Sequence, residues 1–388
     1  MGAASWLPQR PPLRPPLRVA FYPPFKPLGH PHPSGDLVIA TGLVNYLRCQ
    51  GVQVEVPAAL RTRWIYRRPQ LWLRALVHYR RALRCCRRWR PHLWLTYHSY
   101  YKAPDLLGPG VCRRLGIPYL LFQGIYATKR RRRLGTVAGF YLNRRALLAA
   151  EHLFTNRRLD EVNLLRLRAR ERISYVPPGI FPQEFVRDEA AGRCLRREWG
   201  AGSQAVVLSA AMFRRDVKTE GLLWLIACLG ALARSGLSFV LVIAGDGPCR
   251  EEVVAAGHRH LHGRVRFVGR VPRAEMAAFY SAGDLFAFPG IRESLGMVYL
   301  EAQASGLPVV AFENGGIPEV VAQGESGFLT PLFDKGAFAD RVAVLIRDEA
   351  LRTRMGGMAA RRVRERHDLG KNYAQVLTAL ERIHAQRR

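Results

Sequence analysis

Two carboxylates, Glu293 and Glu301, stand eight residues apart in the stretch PGIRESLGMVYLEAQASGLPVVAFENGGIPEVV (289–321), in a chain with 60 basic but only 30 acidic side chains. DLFAFPG (284–290) reads as a strand ending in a turn, Glu293 as the exit of that turn, and SLGMVYLEAQAS as helical. Eight helical residues rise about 12 Å over about 2.2 turns, which leaves the two carboxylates within about 80° of each other but at different depths. At that separation they share neither a proton nor a metal ion. They suit two separate hydroxyl-bearing groups of one elongated ligand. Between them, the N–H groups around Leu295, Gly296 and Met297 form a helix N-terminus suited to phosphate. Sugar hydroxyls at one end, a diphosphate in the middle and ribose hydroxyls at the other describe a nucleotide sugar.

The elements that must position these residues follow from the apolar pattern. LRVAFYPPF (17–25) reads as a buried strand, KPLGHPHPSGD (26–36) as a loop and LVIATGLVNYLRCQ as an amphipathic helix that Gly51 closes before the strand VQVEV. Strand, loop, helix, strand starts a βαβ series and implies a parallel sheet. HLWLTYHS (92–99), IPYLLFQG (117–124) and HLFTN (152–156) continue it. ISYVPPGIFPQEF (173–185) is the strongest linker signal. A second series runs through AVVLSAAMF (205–213), SFVLVIAGDG (238–247), VRFVGRV (265–271), DLFAFPG and LPVVAF (307–312). The expected organisation is a disordered leader (1–16), a Rossmann-like domain (17–183), a second Rossmann-like domain (184–369) and a C-terminal helix (370–388) packing back on the first. Two doubly wound domains place ligands in a crevice at the carboxyl ends of their strands.

Composition excludes several classes. Seven cysteines make an odd count with no C-x-x-C pair, which fits free thiols in a reducing cytosol rather than a disulfide framework or zinc knuckle. The most apolar stretch, 221–247, is interrupted by Arg234 and Gly236, short of the roughly 20 residues a membrane span needs. It reads as a buried helix and a buried strand. No D-x-D and no metal-spaced His/Cys cluster occurs, so metal-independent chemistry without a cofactor is expected.

The 289–321 stretch resembles the retaining family-4 glycosyltransferases, whose E-x7-E signature runs like ESLGMVYLEAQASGLPVV here and continues into a G-G-x-x-E turn, here Gly315, Gly316 and Glu319. The linker is similar to the family's hinge, with Phe181 in place of the usual Asp, and VIAGDGP (242–248) to another of its strand ends. The resemblance implies an α/β GT-B fold, two doubly wound Rossmann-like domains facing each other across a crevice, and a retaining, metal-independent transferase. It implies that Glu293 contacts the donor hexose and Glu301 the ribose. Lys218 with Arg214 or Arg215, in FRRDVKTEG (213–221), would bind the donor diphosphate and stabilise it as it leaves. Gly35 would let the first domain's loop approach the diphosphate, and His98 would lie near the donor sugar.

Charge placement speaks to the acceptor. Residues 51–150 hold 21 basic side chains against two acids, Glu55 and Asp105. RTRWIYRRPQLWLRALVHYRRALRCCRRWRPHLW (61–94) interleaves arginine with Trp, Tyr and Leu, as suits a helix in an anionic membrane interface. KRRRR (129–133) suits the phosphates of a lipid-linked, lipopolysaccharide-type or other cell-envelope acceptor. The expected place of work is cytoplasmic and peripheral on the inner membrane face. No nucleic-acid-binding motif accompanies the basic half, so a nucleic-acid partner is not expected. A nucleotide-sugar epimerase and a non-catalytic nucleotide-sugar binder remain the alternatives.

Overall fold

The computed structural model describes residues 16–29 and 35–387, so the expected leader, Pro16 apart, lies outside the described residues. The chain divides into two compact units, one comprising the described residues up to Pro177 with those from Gly370 onward, the other Pro178–Leu369.

The first unit is built on a six-stranded parallel sheet of β1 (Arg18–Tyr22), β2 (Gln53–Glu55), β3 (Leu93–Ser99), β4 (Tyr119–Gly124), β5 (His152–Thr155) and β6 (Ile173–Tyr175) in the order β2-β1-β3-β4-β5-β6. Every residue of β3, β4 and β5 is buried, as expected of parallel strands covered on both faces. The crossovers carry α1 (Gly35–Cys49), α2 (Gln70–Trp89), α3 (Gly108–Leu115), α4 (Leu134–Ala149) and α5 (Arg158–Leu165). β6 corrects the linker reading, because ISY completes this sheet before the two prolines break the pairing.

In the second unit, α6 (Glu189–Glu198) precedes β7 (Ala205–Ala210), α7 (Val217–Arg234), β8 (Phe239–Ala244), α8 (Arg250–Leu261), β9 (Val265–Gly269), α9 (Met276–Ser281) and β10 (Leu285–Ala287). Then follow α10 (Met297–Ala304), β11 (Val309–Phe312), α11 (Ile317–Val320), β12 (Gly327–Thr330), α12 (Lys335–Arg347) and α13 (Glu349–Arg366). The sheet order is β12-β11-β10-β7-β8-β9, all parallel. Counted from β7 this is 3-2-1-4-5-6, the doubly wound order of dinucleotide-binding folds. α7 lies against α8 and α12, and Leu222, Leu225, Ile226 and Leu229 join the core with Val207, Leu241 and Phe286. Aspartates cap four helices: Asp188 α6, Asp216 α7, Asp334 α12 and Asp348 α13.

The first crossing falls at Pro177/Pro178, six residues before the expected boundary, because Ile180 and Phe185 belong to the second unit's core and Ile180 pairs with Asp368. The final helix, α14 (Leu369–Ala385), joins the first unit, where the Tyr373 hydroxyl donates to the Ile39 carbonyl at 3.1 Å and Asn372 Nδ2 to the Pro177 carbonyl at 2.9 Å. The seven cysteines are free thiols. Among the described residues, no helix is long and apolar enough to cross a membrane.

Candidate functional site

In the second unit the strand order reverses between β7 and β10, so the loops leaving their carboxyl ends flank the switch point where such sheets bind ligands. β7 leads through Arg214 and Arg215 into α7. Asp216 caps that helix by accepting from the Lys218 N–H at 2.8 Å, which fixes Lys218 in the first turn. β10 leads through Glu293 into α10. The Lys218 ammonium ion-pairs with the Glu293 carboxylate across the switch point and stands 5.3 Å from the Phe288 ring centroid. Glu293 Oε1 also accepts from the Ser294 N–H at 3.0 Å. Burial would push the Glu293 carboxyl up, but Lys218 and the N–H groups of Ser294 and Gly296 outweigh it and hold the carboxyl below its usual range.

This turn departs from the expected helix. α10 starts only at Met297, after Gly296 at φ +68°, so Ser294, Leu295 and Gly296 are not helical, and the eight-residue helical spacing of the two glutamates does not apply. Gly315 explains the shape. It sits at φ +59° with its Cα against the Glu293 carbonyl oxygen, where a Cβ would overlap that atom, and Gly316 donates its N–H to the same carbonyl at 3.1 Å. The Gly-Gly turn thus props the Glu293 loop. Part of the α10 N-terminus is already engaged, since Glu293 takes the Gly296 N–H.

Glu301, on α10, belongs to a separate cluster. Its Oε1 accepts from Arg273 Nη1 at 3.3 Å and its Oε2 from the Tyr280 hydroxyl at 3.1 Å. Arg273 also reaches Glu184 Oε2, from Nη2 at 2.6 Å and Nε at 3.1 Å. Burial raises the Glu301 carboxyl, and Arg273 and Tyr280 only partly offset it. Sequence reasoning missed Arg273, Tyr280 and Glu184. The one available signal was a lone arginine in VPRAEM, just after β9. Arg214 donates from Nη2 to the Met212 sulfur at 2.8 Å. Arg215 lines a cleft with Thr219, Pro248, Glu251 and Glu252, at the starts of α7 and α8.

In the first unit the reversal lies between β1 and β3. His98, next to last in β3, is buried and adopts φ +60°, and Gln123 does the same on β4 at φ +60°. The strands pair at Tyr97↔Phe122 and Ser99↔Gly124, on either side of these two residues. A left-handed backbone in two non-glycine strand residues is strain of the kind found at functional sites. The His98 ring lies 5.0 Å from Phe25, on the loop leaving β1, and 4.9 Å from Tyr100. Gly35 is the first residue of α1 rather than a loop residue, and among the described residues nothing lies within 4 Å of where a Cβ would stand. Lys218, Glu293, Leu295, Gly296 and Met297 thus gather around the second switch point, Glu301 stands apart with Arg273 and Tyr280, and His98 and Gly35 flank the first. Among the described residues, no group of three or more His, Cys, Asp or Glu side chains is placed to hold a metal ion.

Known proteins share this architecture. HepE of Anabaena, solved with UDP, superposes with a TM-score of 0.73 at 17% identity, covering 94% of this chain and 100% of that one. This is the GT-B fold. Within its second unit, residues 204–348 match the family Glycosyl transferases group 1. The chain is 36% identical over 203 residues to a D-inositol 3-phosphate glycosyltransferase of Corynebacterium glutamicum, covering 50% of this chain and 48% of that protein. It is 33% identical over 192 residues to a GDP-mannose-dependent alpha-(1-6)-phosphatidylinositol monomannoside mannosyltransferase of Mycolicibacterium smegmatis, covering 47% and 50%. The chain spans about half the length of the curated relatives it matches. The matched GT-B segment contains both β7 and β10, and with them Lys218, Glu293 and Glu301.

Proposed function

We propose that this protein is a retaining glycosyltransferase that moves a sugar from a nucleotide-sugar donor to a hydroxyl of an anionic, lipid-linked glycan acceptor. The observation that carries this is the Lys218–Glu293 pair spanning the switch point of a sheet whose residues match the group 1 glycosyltransferases. The ammonium is placed to meet a donor diphosphate. Once drawn to the phosphates it frees a carboxylate, already held ionised, to accept hydrogen bonds from the sugar. Glu301, on α10 beyond the Glu293 loop, takes the ribose hydroxyls. Lys218 with Arg214 or Arg215 supplies the positive charge that the departing diphosphate needs, in place of a divalent ion. With Lys218 on the phosphates, the Glu293 carboxylate still accepts from the backbone N–H groups of Ser294 and Gly296, which suits orienting a hydroxyl better than nucleophilic attack and favours a front-face retaining route.

The acceptor class draws support from two sides. The first unit carries the arginine-rich surface, and the two relatives named above act on acceptors whose names contain a phosphorylated inositol. A cytoplasmic, peripherally membrane-bound enzyme of cell-envelope glycolipid synthesis fits both. The test is to incubate the protein with a panel of nucleotide sugars, with and without a phospholipid-linked acceptor, and to follow nucleoside diphosphate release. Release that depends on acceptor is expected. Interconversion of nucleotide sugars without acceptor makes it an epimerase. No turnover under either condition, with nucleotide-sugar binding still visible as a raised melting point, leaves a binding protein.

A further inference from the structure

We propose that the first unit carries a binding site for a phosphate-bearing sugar or polyol, formed by Arg67, Lys102 and Arg130 around the rings of Trp64 and Tyr101. The assignment of that ligand as the acceptor rests on the proposed activity. Arg67 Cζ stands 4.2 Å from the Trp64 ring centroid, and Lys102 Nζ stands 5.5 Å from the same ring and 5.7 Å from Tyr101. Arg130 Cζ stands 4.5 Å from Tyr101, and the two rings meet edge to face at 6.0 Å. Three segments well separated in sequence therefore bring three cations onto two touching rings.

None of the three is ion-paired among the described residues. The only two acids between residues 51 and 150 are engaged elsewhere. Glu55 accepts from the Cys85 thiol, and Asp105 is buried among Thr96, Tyr119 and the N–H groups of Leu107 and Gly108. Aromatic faces compensate a cation only in part, so three gathered charges leave a field that an anion would satisfy. A phosphate group, with up to two charges and three acceptor oxygens, matches three separate donors better than a carboxylate does. Tyr101 is buried, and the half-buried Trp64 ring offers apolar area to the C–H face of a sugar or polyol.

The framework is set before any ligand arrives. Arg67 Nε donates to the Gly135 carbonyl at 3.1 Å, the Thr136 hydroxyl to the Arg130 carbonyl at 2.8 Å, and the Trp64 N–H to the Lys102 carbonyl at 2.6 Å. Trp64 is held at φ +59°, a region bulky residues seldom occupy. The aromatic run continues from Tyr101 to Tyr100 at 5.6 Å and to His98 at 4.9 Å, so it leads to the first switch point.

A soluble sugar phosphate and a phospholipid headgroup present the same chemistry, and two arms separate them. The full chain is titrated at low salt with glucose 6-phosphate and with glucose. In parallel it is sedimented with phosphatidylcholine vesicles with and without phosphatidylglycerol. Glucose 6-phosphate should bind more tightly than glucose. Arg67→Gln, Lys102→Gln and Arg130→Gln should each weaken it about tenfold, the effect of one lost charged hydrogen bond, with melting temperatures close to wild type. Lys218→Ala should leave it unchanged. Vesicle binding that falls in the glutamine variants while glucose 6-phosphate does not bind assigns the site to a headgroup. Unchanged affinity in all three variants in both arms overturns the proposal, as does a loss confined to Lys218→Ala. A nucleoside diphosphate titrated in the same way reports on the donor reading alone: its failure to bind would refute that reading and leave the phosphate site standing.

Discussion

Glu293 and Glu301 are both nearly buried, yet their surroundings push their protons in opposite directions. Burial disfavours ionisation in each, but Lys218 and two N–H groups reverse the balance at Glu293, whereas Arg273 and Tyr280 do not at Glu301. If Glu293 holds donor hydroxyls while charge develops at the anomeric carbon, Glu293→Gln lowers turnover by about 2–4 kcal/mol of transition-state stabilisation. A steady-state rate within twofold of wild type would remove the assignment. Linkage provides a second measurement, independent of activity. The lowered Glu293 carboxyl contributes stability that is present above the unfolded value of about 4.3 and lost as pH falls through its folded value. The raised Glu301 carboxyl works the other way, costing stability as pH rises from about 4.3 through its folded value. Denaturant midpoints measured across the acid range should therefore show the Glu293→Gln variant losing a slope that rises with pH, and Glu301→Gln losing one that falls. Same-signed changes would refute the electrostatic account of the pair.

The long apolar strands and the α7–β8 pair were legible in the sequence, because buried parallel strands and a helix apolar all round leave continuous apolar runs, told apart by length, that need no tertiary knowledge. β6 and β12 were not: each is a three- or four-residue edge strand, and β6 runs straight into a Pro-Pro break. The chemistry of the β10–α10 loop was visible in its residue types, but its geometry was not, since Gly315 reshapes it from 22 residues downstream. Arg273 and Tyr280 meet Glu301 only through the fold. The closure of the second unit belongs to the same tertiary level. His367 caps the end of α13, its Nδ1–H donates to the Pro178 carbonyl at 2.8 Å, and its carbonyl accepts from Ile180 at 2.9 Å, clasping the two segments where the chain enters and leaves the unit. Burial, only partly offset by the Pro178 bond and reinforced by Arg362 and Arg366, brings this imidazole down to about 4. The unfolded chain takes up a proton near pH 6.5 that the folded one refuses until about pH 4, so stability falls with pH across that window, by up to about 3 kcal/mol. His367→Gln keeps an N–H donor for Pro178 and removes the titration. Its unfolding midpoint should change less between pH 7 and 4.5 than that of wild type, and an equal change in both would clear His367 of any part in acid lability.

In α2 a run of basic residues adjoins exposed apolar surface. α2 has no acidic residue, and its first two turns expose Trp72 (44%), Leu73 (73%), Leu76 (47%) and Val77 (62%), which lie on one stripe at i, i+1, i+4 and i+5. Arg80, Arg81 and Arg84, all exposed, continue the same stripe toward the helix end. A soluble surface seldom carries four neighbouring large apolar side chains without a partner, and with the adjoining arginines the stripe suits the anionic membrane surface proposed above. A bilayer with anionic headgroups satisfies both halves of the stripe, the apolar turns entering the interface and the guanidinium groups meeting phosphates. Each arginine contributes about 1 kcal/mol at such a surface, within a Debye length, and each apolar side chain about 1.5–3 kcal/mol if fully buried. Sedimentation with phosphatidylglycerol vesicles should therefore carry the protein down at low salt and release it steeply as salt rises. Leu73→Ser with Val77→Ser should abolish the binding that survives high salt. Arg80→Gln with Arg84→Gln should instead remove the dependence on anionic lipid. Equal binding of wild type to neutral vesicles, or none to anionic ones, would return α2 to being an arginine-rich solvated helix and leave the proposed acceptor to reach the protein from solution.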